Sequence, residues 1–283
     1  MGSYRPRTGS ALHIFLRVAR PRLIRHDRHG WQRVPPPLKR VLGHSYEQGF
    51  DLRLVPEKMY APFDWAMPGR VFVNSMSDLF HEGIPDEYVR KVADVMEHAY
   101  WHSYMVLTQR PERMLSMLTG SLRSAAERES ILWGVSVENR RHGLPRIDLL
   151  RQCPAQVRFL SIEPLLEDLG ELDLSGIHWV IVGGESGPGL TPMQADWARS
   201  IRDQCDAAEV PFFFKQWSGL RPKTQGRELD GVEHNTFPTT IGSVPVEKAA
   251  RDFRRLMVQR AHGATVDKRF RLPRLEDDFP YGF

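Results

Sequence analysis

Short apolar runs recur along the chain from residue 71 onward, and each is followed by polar residues and then by an amphipathic segment. The runs are rich in Val, Ile, Phe and Tyr, which favour strands, and continuous apolar runs are typical of strands buried on both faces. Six strands are predicted: Val71–Val73, Tyr104–Leu107, Leu132–Val137, Val157–Ile162, Trp179–Val182 and Phe212–Phe214.

Helical periodicity fills the intervals between these strands. The first predicted helix is Pro85–Ala99, with Pro85 at its first position and two acids in the first turn, where the helix dipole favours them. Further helices are predicted from Pro111, over Leu144–Arg151 and from Gln194. Strand–helix alternation indicates an α/β fold. The six repeats favour a partial or closed (β/α) barrel of about six to seven parallel strands over a doubly wound sheet.

The pattern stops on both sides of this region, so we divide the chain into three parts. These are a basic segment at residues 1–43, the (β/α) barrel domain at 44–218, and a C-terminal extension at 219–283. The first part has no sustained hydrophobic period and is expected to pack poorly on the barrel. Within the extension, Glu247–His262 is basic and amphipathic. It is predicted to be a helix that packs on the barrel through Phe253, Leu256 and Met257.

Composition and charge single out the N-terminus. The 283 residues are 41% hydrophobic, enough for one or two domains with a sizeable core. The net charge is +4, yet residues 1–40 alone hold nine Arg and one Lys against a single acid, Asp27. Such a segment either holds nucleic acid electrostatically or is unstructured or non-native peptide. Two cysteines make no disulfide framework, which favours a cytoplasmic protein, and we recognise neither a membrane span nor a signal peptide.

Polar residues follow every predicted strand. The carboxyl ends of parallel strands share one edge of a sheet or barrel, where ligands bind. Three carboxylates, Glu138, Glu163 and Glu185, would meet there, and such like charges cost energy unless a cation, a ligand or hydrogen bonds offset them. We therefore predict one shared site, in which Asn74, Glu138, Glu163, Glu185 and Lys215 point into one cavity. It consists of Asn74, Ser75, Asp78, Thr108, Arg110, Ser136, Glu138, Glu163, Gly183, Gly184, Glu185 and Lys215.

The stretch "WVIVGGESGPG" contains the most distinctive of these strand exits, by which we mean the polar residues directly after a strand. Gly183 and Gly184 would let the backbone approach a ligand without a Cβ in the way. Glu185 would add a charge-assisted hydrogen bond to an ammonium or a sugar hydroxyl. An ordinary turn is the alternative. The loop Asp78–Glu82 contains two acids and a histidine, but we interpret it as a lead into the following helix and predict no metal site.

Seven stretches carry a family resemblance over about residues 44–218. They are "HSYEQGFDLRL", "RVFVNSMSDLFHEGIPDEY", "VLTQRPERM", "WGVSVEN", "RFLSIEPLLEDLG", "WVIVGGESGPG" and "QCDAAEVPFFFKQW". In this order they resemble the phage-associated gp-thirty-seven/gp-sixty-eight family, a domain of unknown function similar to the radical S-adenosylmethionine enzymes. The resemblance implies a partial (β/α) barrel, S-adenosylmethionine as cofactor, an iron–sulfur cluster on three cysteines, and an unknown substrate related to nucleic acid or nucleotides.

Roles for the strand-exit residues follow from strand position within that resemblance. We assign Glu163, Glu138 and Lys215 to catalysis, with Glu163 as general base and Lys215 as partner of a carboxylate or phosphate. The other residues of the predicted site are assigned to the cofactor. If S-adenosylmethionine binds, the Gly183–Glu185 stretch and Glu138 are expected to contact its amino and ribose groups.

The chain departs from the family pattern where the cluster ligands belong. Residues 9–30 contain no cysteine, no Trp-Asn-Pro stretch and no Tyr-Ala ending. Cys153 and Cys205 lie in or beside predicted helices and have no third thiol to join them. Three accounts stay open: a frameshift or wrong start in residues 1–43, a degenerate copy that binds a ligand, or an N-terminus remodelled for nucleic acid. The chain as written is expected not to perform radical chemistry.

Overall fold

Three short strands precede the main body of the protein. The computed structural model describes residues 52–74, 77–221, 225–238 and 244–265, together with the backbone of these strands. β1 (Leu16–Arg17) pairs antiparallel with β4 (Arg53–Leu54), while β2 (Leu23–His26) and β3 (Gly30–Arg33) form an antiparallel hairpin. The predicted poor packing of residues 1–40 concerns side chains that lie outside the described residues.

Six parallel strands form the centre of the protein. They are β5 (Arg70–Phe72), β6 (Ser103–Thr108), β7 (Ile131–Ser136), β8 (Val157–Ile162), β9 (Trp179–Gly183) and β10 (Phe212–Gln216). They lie side by side in sequence order, and the sheet curls into a half-barrel, which confirms the predicted α/β partial barrel. Right-handed crossovers that all advance in one direction put every helix on the same face. In a doubly wound sheet the strand order would reverse.

Helices cover the convex face of this sheet. They are α1 (Asp86–His98), α2 (Pro111–Thr119), α3 (Arg123–Ala126), α4 (Arg140–Gln152), α5 (Ala195–Ala207) and α6 (Lys248–Ala261). Smaller elements are two 3₁₀ turns, Pro56–Lys58 and Ala61–Asp64, and a hairpin of β11 (Glu228–Leu229) and β12 (Val232–Glu233).

Two predicted helix starts were wrong for local reasons. Pro85 has an extended backbone (ψ 139°) and occupies the N-cap of α1, so the helix begins one residue later. The helix α4 begins at Arg140, before the predicted Leu144, because the Asn139 side chain caps it by accepting a hydrogen bond from the His142 N–H at 2.8 Å. Pro145 therefore lies inside α4.

Side chains alternate between the two faces of the sheet and form two apolar clusters. The larger cluster lies between the convex face and the helices, and Trp133 of β7 is among its largest fully buried side chains. The smaller cluster lies on the concave face and consists of Leu107, Leu132, Val157, Phe159, Trp179 and Ile181. The lower part of the half-barrel is therefore a packed apolar floor.

A segment of the C-terminal extension packs into this concave floor. It runs antiparallel beside β10, with Phe214 N–H donating to His234 C=O at 2.9 Å. The Phe237 ring lies 5.2 Å from the rings of Trp179 and Phe213, and the Arg70 guanidinium lies 3.7 Å above it. Phe237 thus connects β5 with β9 and β10 at their amino ends and closes the floor between them.

The helix α6 packs on the barrel as predicted, but through a different face. Its buried residues include Leu256 and Val258, whereas Phe253 and Met257 are exposed. Polar anchors set this rotation: Arg251 Nη1 donates to the Phe63 carbonyl at 2.8 Å. Just past the helix end, the His262 ring bonds Tyr60 Oη and Asp94 Oδ2, each at 3.1 Å. The hydrophobic stripe alone therefore predicted the wrong orientation.

His102 gives the fold a predicted pH dependence. Its buried ring accepts a hydrogen bond from Gly69 N–H and donates one to the Pro62 carbonyl, and desolvation lowers its pKa from 6.5 to about 4. Between these values the unfolded chain binds more protons than the folded chain. The contribution of His102 to the free energy of unfolding is therefore fully present above pH 6.5. It is lost as the pH falls toward 4, with a slope of at most about 1.4 kcal/mol per pH unit. Urea unfolding between pH 4 and 7 measures this slope, and His102→Gln should flatten it.

Candidate functional site

All six strands end at the same edge, and hydrogen bonds connect neighbouring exits. Val137 N–H donates to Ser161 C=O, Leu165 N–H to Gly183 C=O, and Gly184 N–H to Gln216 C=O, each at 2.9 Å. Glu138, Glu163 and Glu185 therefore belong to one edge of the half-barrel. Their side chains nevertheless have different partners, and the predicted site divides into several separate contacts.

Asp78 braces the exits of β5 and β6. Both of its carboxylate oxygens accept hydrogen bonds from four donors: Thr108 Oγ1 at 2.7 Å, Arg110 Nη1 at 2.9 Å, Phe80 N–H at 3.0 Å and Gln109 N–H at 3.1 Å. Arg110 extends the brace to Glu82, with Nε and Oε2 2.7 Å apart. The loop Asp78–Glu82 is thus held by internal contacts. Within the part of the chain that the structure describes, no three His, Cys, Asp or Glu side chains are placed to hold a metal ion together.

Glu138 forms a buried ion pair with Arg146 of α4. Arg146 Nη1 lies 2.7 Å from Glu138 Oε2 and 2.7 Å from the Ser136 carbonyl oxygen, and Gln109 Nε2 donates to the other carboxylate oxygen. The two side chains are 6% and 16% exposed. Both oxygens of Glu138 are thus engaged within the protein and largely shielded from water, which disfavours a ligand-binding role for this carboxylate.

Glu163 and Lys215 form a second ion pair, which is open to solvent. The Lys215 Nζ lies 2.7 Å from Glu163 Oε2, and the side chains are 46% and 20% exposed. Gly183 lies beside the pair: a Cβ at this position would be 3.4 Å from the Glu163 carboxyl carbon and 3.4 Å from Lys215 Cβ. The missing side chain at Gly183, which is buried, thus lets Glu163 and Lys215 pack closely against the backbone of β9.

The second glycine of the motif serves the protein's own packing. A Cβ on Gly184 would lie 2.2 Å from the Ser218 backbone nitrogen, so the close approach expected for a ligand is made here by the loop after β10. Glu185 joins the same two loops, since its Oε2 accepts from Thr191 N–H at 2.9 Å and its carbonyl accepts from Gly219 N–H at 3.0 Å. The glycine-rich loop and the loop after β10 are therefore interlocked.

Asn74 and Ser136 are fully buried near this edge. The Asn74 amide donates to the Ser77 carbonyl at 3.3 Å. In the described part of the chain, Asn74 Oδ1 and Ser136 Oγ have no hydrogen-bond partner. Ser75, also predicted for the site, lies outside the described residues. Among the described residues, no hydrogen bond joins Asn74 or Ser136 to the Glu163–Lys215 pair. The predicted set therefore includes groups in distinct surroundings.

The cysteines do not fit an iron–sulfur cluster. The chain contains two, Cys153 and Cys205, and both are buried in the core between the sheet and the helices. Burial raises the pKa of each thiol to about 12, so both are neutral rather than the thiolates that ligate iron. A three-cysteine site cannot be assembled from them.

Comparison with known proteins places the chain in a family. A family model described as a protein of unknown function, DUF5131, matches residues 32–238. The chain belongs to the DUF5131 family. No curated protein and no solved structure matches it. The DUF5131 match includes the six-stranded half-barrel and the segment at 234–238 that closes its floor. In the described residues of this DUF5131 protein, no helix is both long and apolar enough to cross a membrane.

Sequence reasoning missed several residues at the edge of the half-barrel where the strands end. Arg146 and Gln109 hold Glu138, and Thr191 and Ser218 hold the glycine-rich loop. Arg146 had one usable signal, because Asn139 is a good helix N-cap and a helix starting there returns a side chain in its second turn toward the preceding strand exit. The contacts of Thr191 and Ser218 depend on loop conformation and had no such signal.

Proposed function

We propose that this protein binds a zwitterionic small molecule of the S-adenosylmethionine class at the Glu163–Lys215 pair, without cluster-dependent radical chemistry. The observation that carries the proposal is the accessible ion pair beside Gly183, at the edge where (β/α) folds bind their ligands. It combines one positive and one negative side chain, both reachable from solvent. The Glu138–Arg146 pair, by contrast, is buried and saturated.

The chemistry of the pair matches an amino-acid head group. A ligand's ammonium would bond Glu163 while its carboxylate bonds Lys215, so that each side chain exchanges its partner for a ligand group. Separating the two side chains costs little, because exposed ion pairs contribute only about 0–1 kcal/mol.

The resemblance to the phage-associated family supports S-adenosylmethionine as the ligand, since that molecule has an amino-acid head. When bound, it would supply a sulfonium with three transferable carbon groups. The two buried cysteines provide no cluster whose iron would chelate the head. We therefore expect weak binding that depends on the Glu163 and Lys215 side chains.

Two substitutions test this site by titration calorimetry with S-adenosylmethionine on the full chain. Lys215→Met and Glu163→Gln are each expected to weaken binding at least about tenfold, because each removes a hydrogen bond to a charged group. Lys248→Met changes a lysine on the exposed side of α6 and should leave the affinity unchanged. Adenosine, which has no amino-acid head, should bind all four proteins alike. Unchanged affinity for S-adenosylmethionine in both site variants would contradict the proposal.

A further inference from the structure

A second feature of the same edge is an open cleft of about 560 Å³ beyond the end of β10. It lies between the end of the glycine-rich loop and the loop after β10, the two loops that interlock through Gly184 and Ser218. Its walls combine apolar and polar groups and consist of Leu190, Pro192, Met193, Trp217, Ser218, Gly219, Leu220 and Gln225. The volume is sufficient for one planar ring system with its substituents.

Trp217 forms a rigid wall of this cleft. Its indole Nε1 donates to the Glu228 carbonyl at 2.8 Å, and its ring contacts the Phe214 ring edge to face at a centroid distance of 4.9 Å. These contacts fix the ring plane while the side chain stays partly exposed. Met193, which is largely buried in the core, supplies a polarisable neighbour at the base of the cleft. The cleft therefore offers a preformed stacking surface.

A polar side chain and a basic residue belong to the segments that form this surface. The exposed amide of Gln225 can both donate to and accept from the edge of a heterocyclic base. Arg221 directly follows the lining residue Leu220, so one basic residue is close in sequence to the stacking ring. An aromatic platform with neighbouring cations is the arrangement by which proteins hold bases of single-stranded nucleic acids.

We propose that this cleft binds a nucleobase, stacked on Trp217. The site goes beyond the proposed function, because it uses Trp217 and Leu220 rather than Glu163 and Lys215. The base could be carried by a free nucleotide or by a single strand, and both present the same planar group and anionic phosphate. The expected contribution of this contact to the binding free energy is that of one stacked base.

The test compares two labelled strands by fluorescence anisotropy on the full chain: oligothymidylate of about eight nucleotides and an abasic strand of equal length. The wild-type protein should bind oligothymidylate about tenfold more tightly, because the abasic strand keeps the phosphates and lacks the bases. Trp217→Ala should abolish this difference and Trp217→Phe should retain most of it. Leu220→Ser should reduce it without disturbing the fold, since Leu220 is 73% exposed.

Tyr100→Ala is the matched control, since it removes an exposed aromatic ring that packs beside Trp101 and Arg254 rather than in the cleft. It should leave the preference for bases intact.

Displacement of oligothymidylate by thymidine monophosphate would identify free nucleotides as the source of the base, and failure of displacement would identify strands. Equal binding of the abasic strand by the wild-type protein, or an unchanged preference in both Trp217→Ala and Leu220→Ser, would overturn the proposal. Glu163→Gln separates the sites, because it should weaken S-adenosylmethionine binding and leave the base preference unchanged.

Discussion

Replacing Arg146 by Ala is expected to lower the free energy of unfolding by about 3–5 kcal/mol. The substitution leaves the Glu138 carboxylate buried without its cationic partner, and Gln109 alone remains as its hydrogen-bond donor. It also removes the hydrogen bond to the Ser136 carbonyl, which fixes α4 over the end of β7. Chemical denaturation of the purified variant and wild type measures the difference.

The control for this prediction is Arg199→Ala. Arg199 pairs with Asp230 and Asp196 on the protein surface, where ion pairs contribute about 0–1 kcal/mol. A double variant, Glu138→Leu with Arg146→Met, should recover much of the loss, because replacing both charges leaves no unpaired buried group. If Arg146→Ala costs no more than Arg199→Ala, the buried pair does not stabilise this edge as described.

Gly184→Ala is expected to destabilise the protein by about 3 kcal/mol, at the upper end for an overpacked site. The new methyl carbon would lie 2.2 Å from the Ser218 nitrogen, and backbone atoms cannot rotate away as a side chain can. The glycine-rich loop and the loop after β10 would have to separate. That separation would break the hydrogen bonds from Gly187 N–H to Gly219 C=O and from Gly219 N–H to Glu185 C=O.

Gly69→Ala is the matched control, because the atom nearest to its new methyl carbon is a His102 ring nitrogen at 3.9 Å, an ordinary contact. Thermal unfolding of the two variants should therefore give clearly different midpoints, with Gly184→Ala the lower. Equal midpoints would mean that the two loops are not packed against one another as closely as described.

The strands could be predicted because a parallel strand buried on both faces appears in the sequence as a continuous apolar run, and polar residues mark where each run ends. The bounds of β8 were predicted to the residue, and those of the other five strands to within two residues. Orientation of α6 could not be predicted from its apolar stripe, since Arg251 and His262 anchor it through residues distant in sequence.

The chemistry of the edge was less predictable than its location. Three carboxylates after neighbouring strands repel one another unless positive charges or hydrogen-bond donors offset their charge. The sequence does not say whether a ligand or the protein itself supplies these groups. Arg146 offsets the charge of Glu138 and Lys215 that of Glu163, while Glu185 accepts a backbone hydrogen bond. Likewise, the two glycines looked equivalent in sequence. One faces the open ion pair and the other faces a backbone, a distinction that depends on the loop after β10.

The most direct test of the account is to titrate the wild-type protein, side by side, with S-adenosylmethionine and S-adenosylhomocysteine. Both ligands carry the amino-acid head that Glu163 and Lys215 are proposed to bind, and no iron is available to favour one of them. We expect weak binding with affinities that agree within about threefold, or under 0.7 kcal/mol. Tight binding with strong selectivity for S-adenosylmethionine, or no binding of either ligand, would contradict the account.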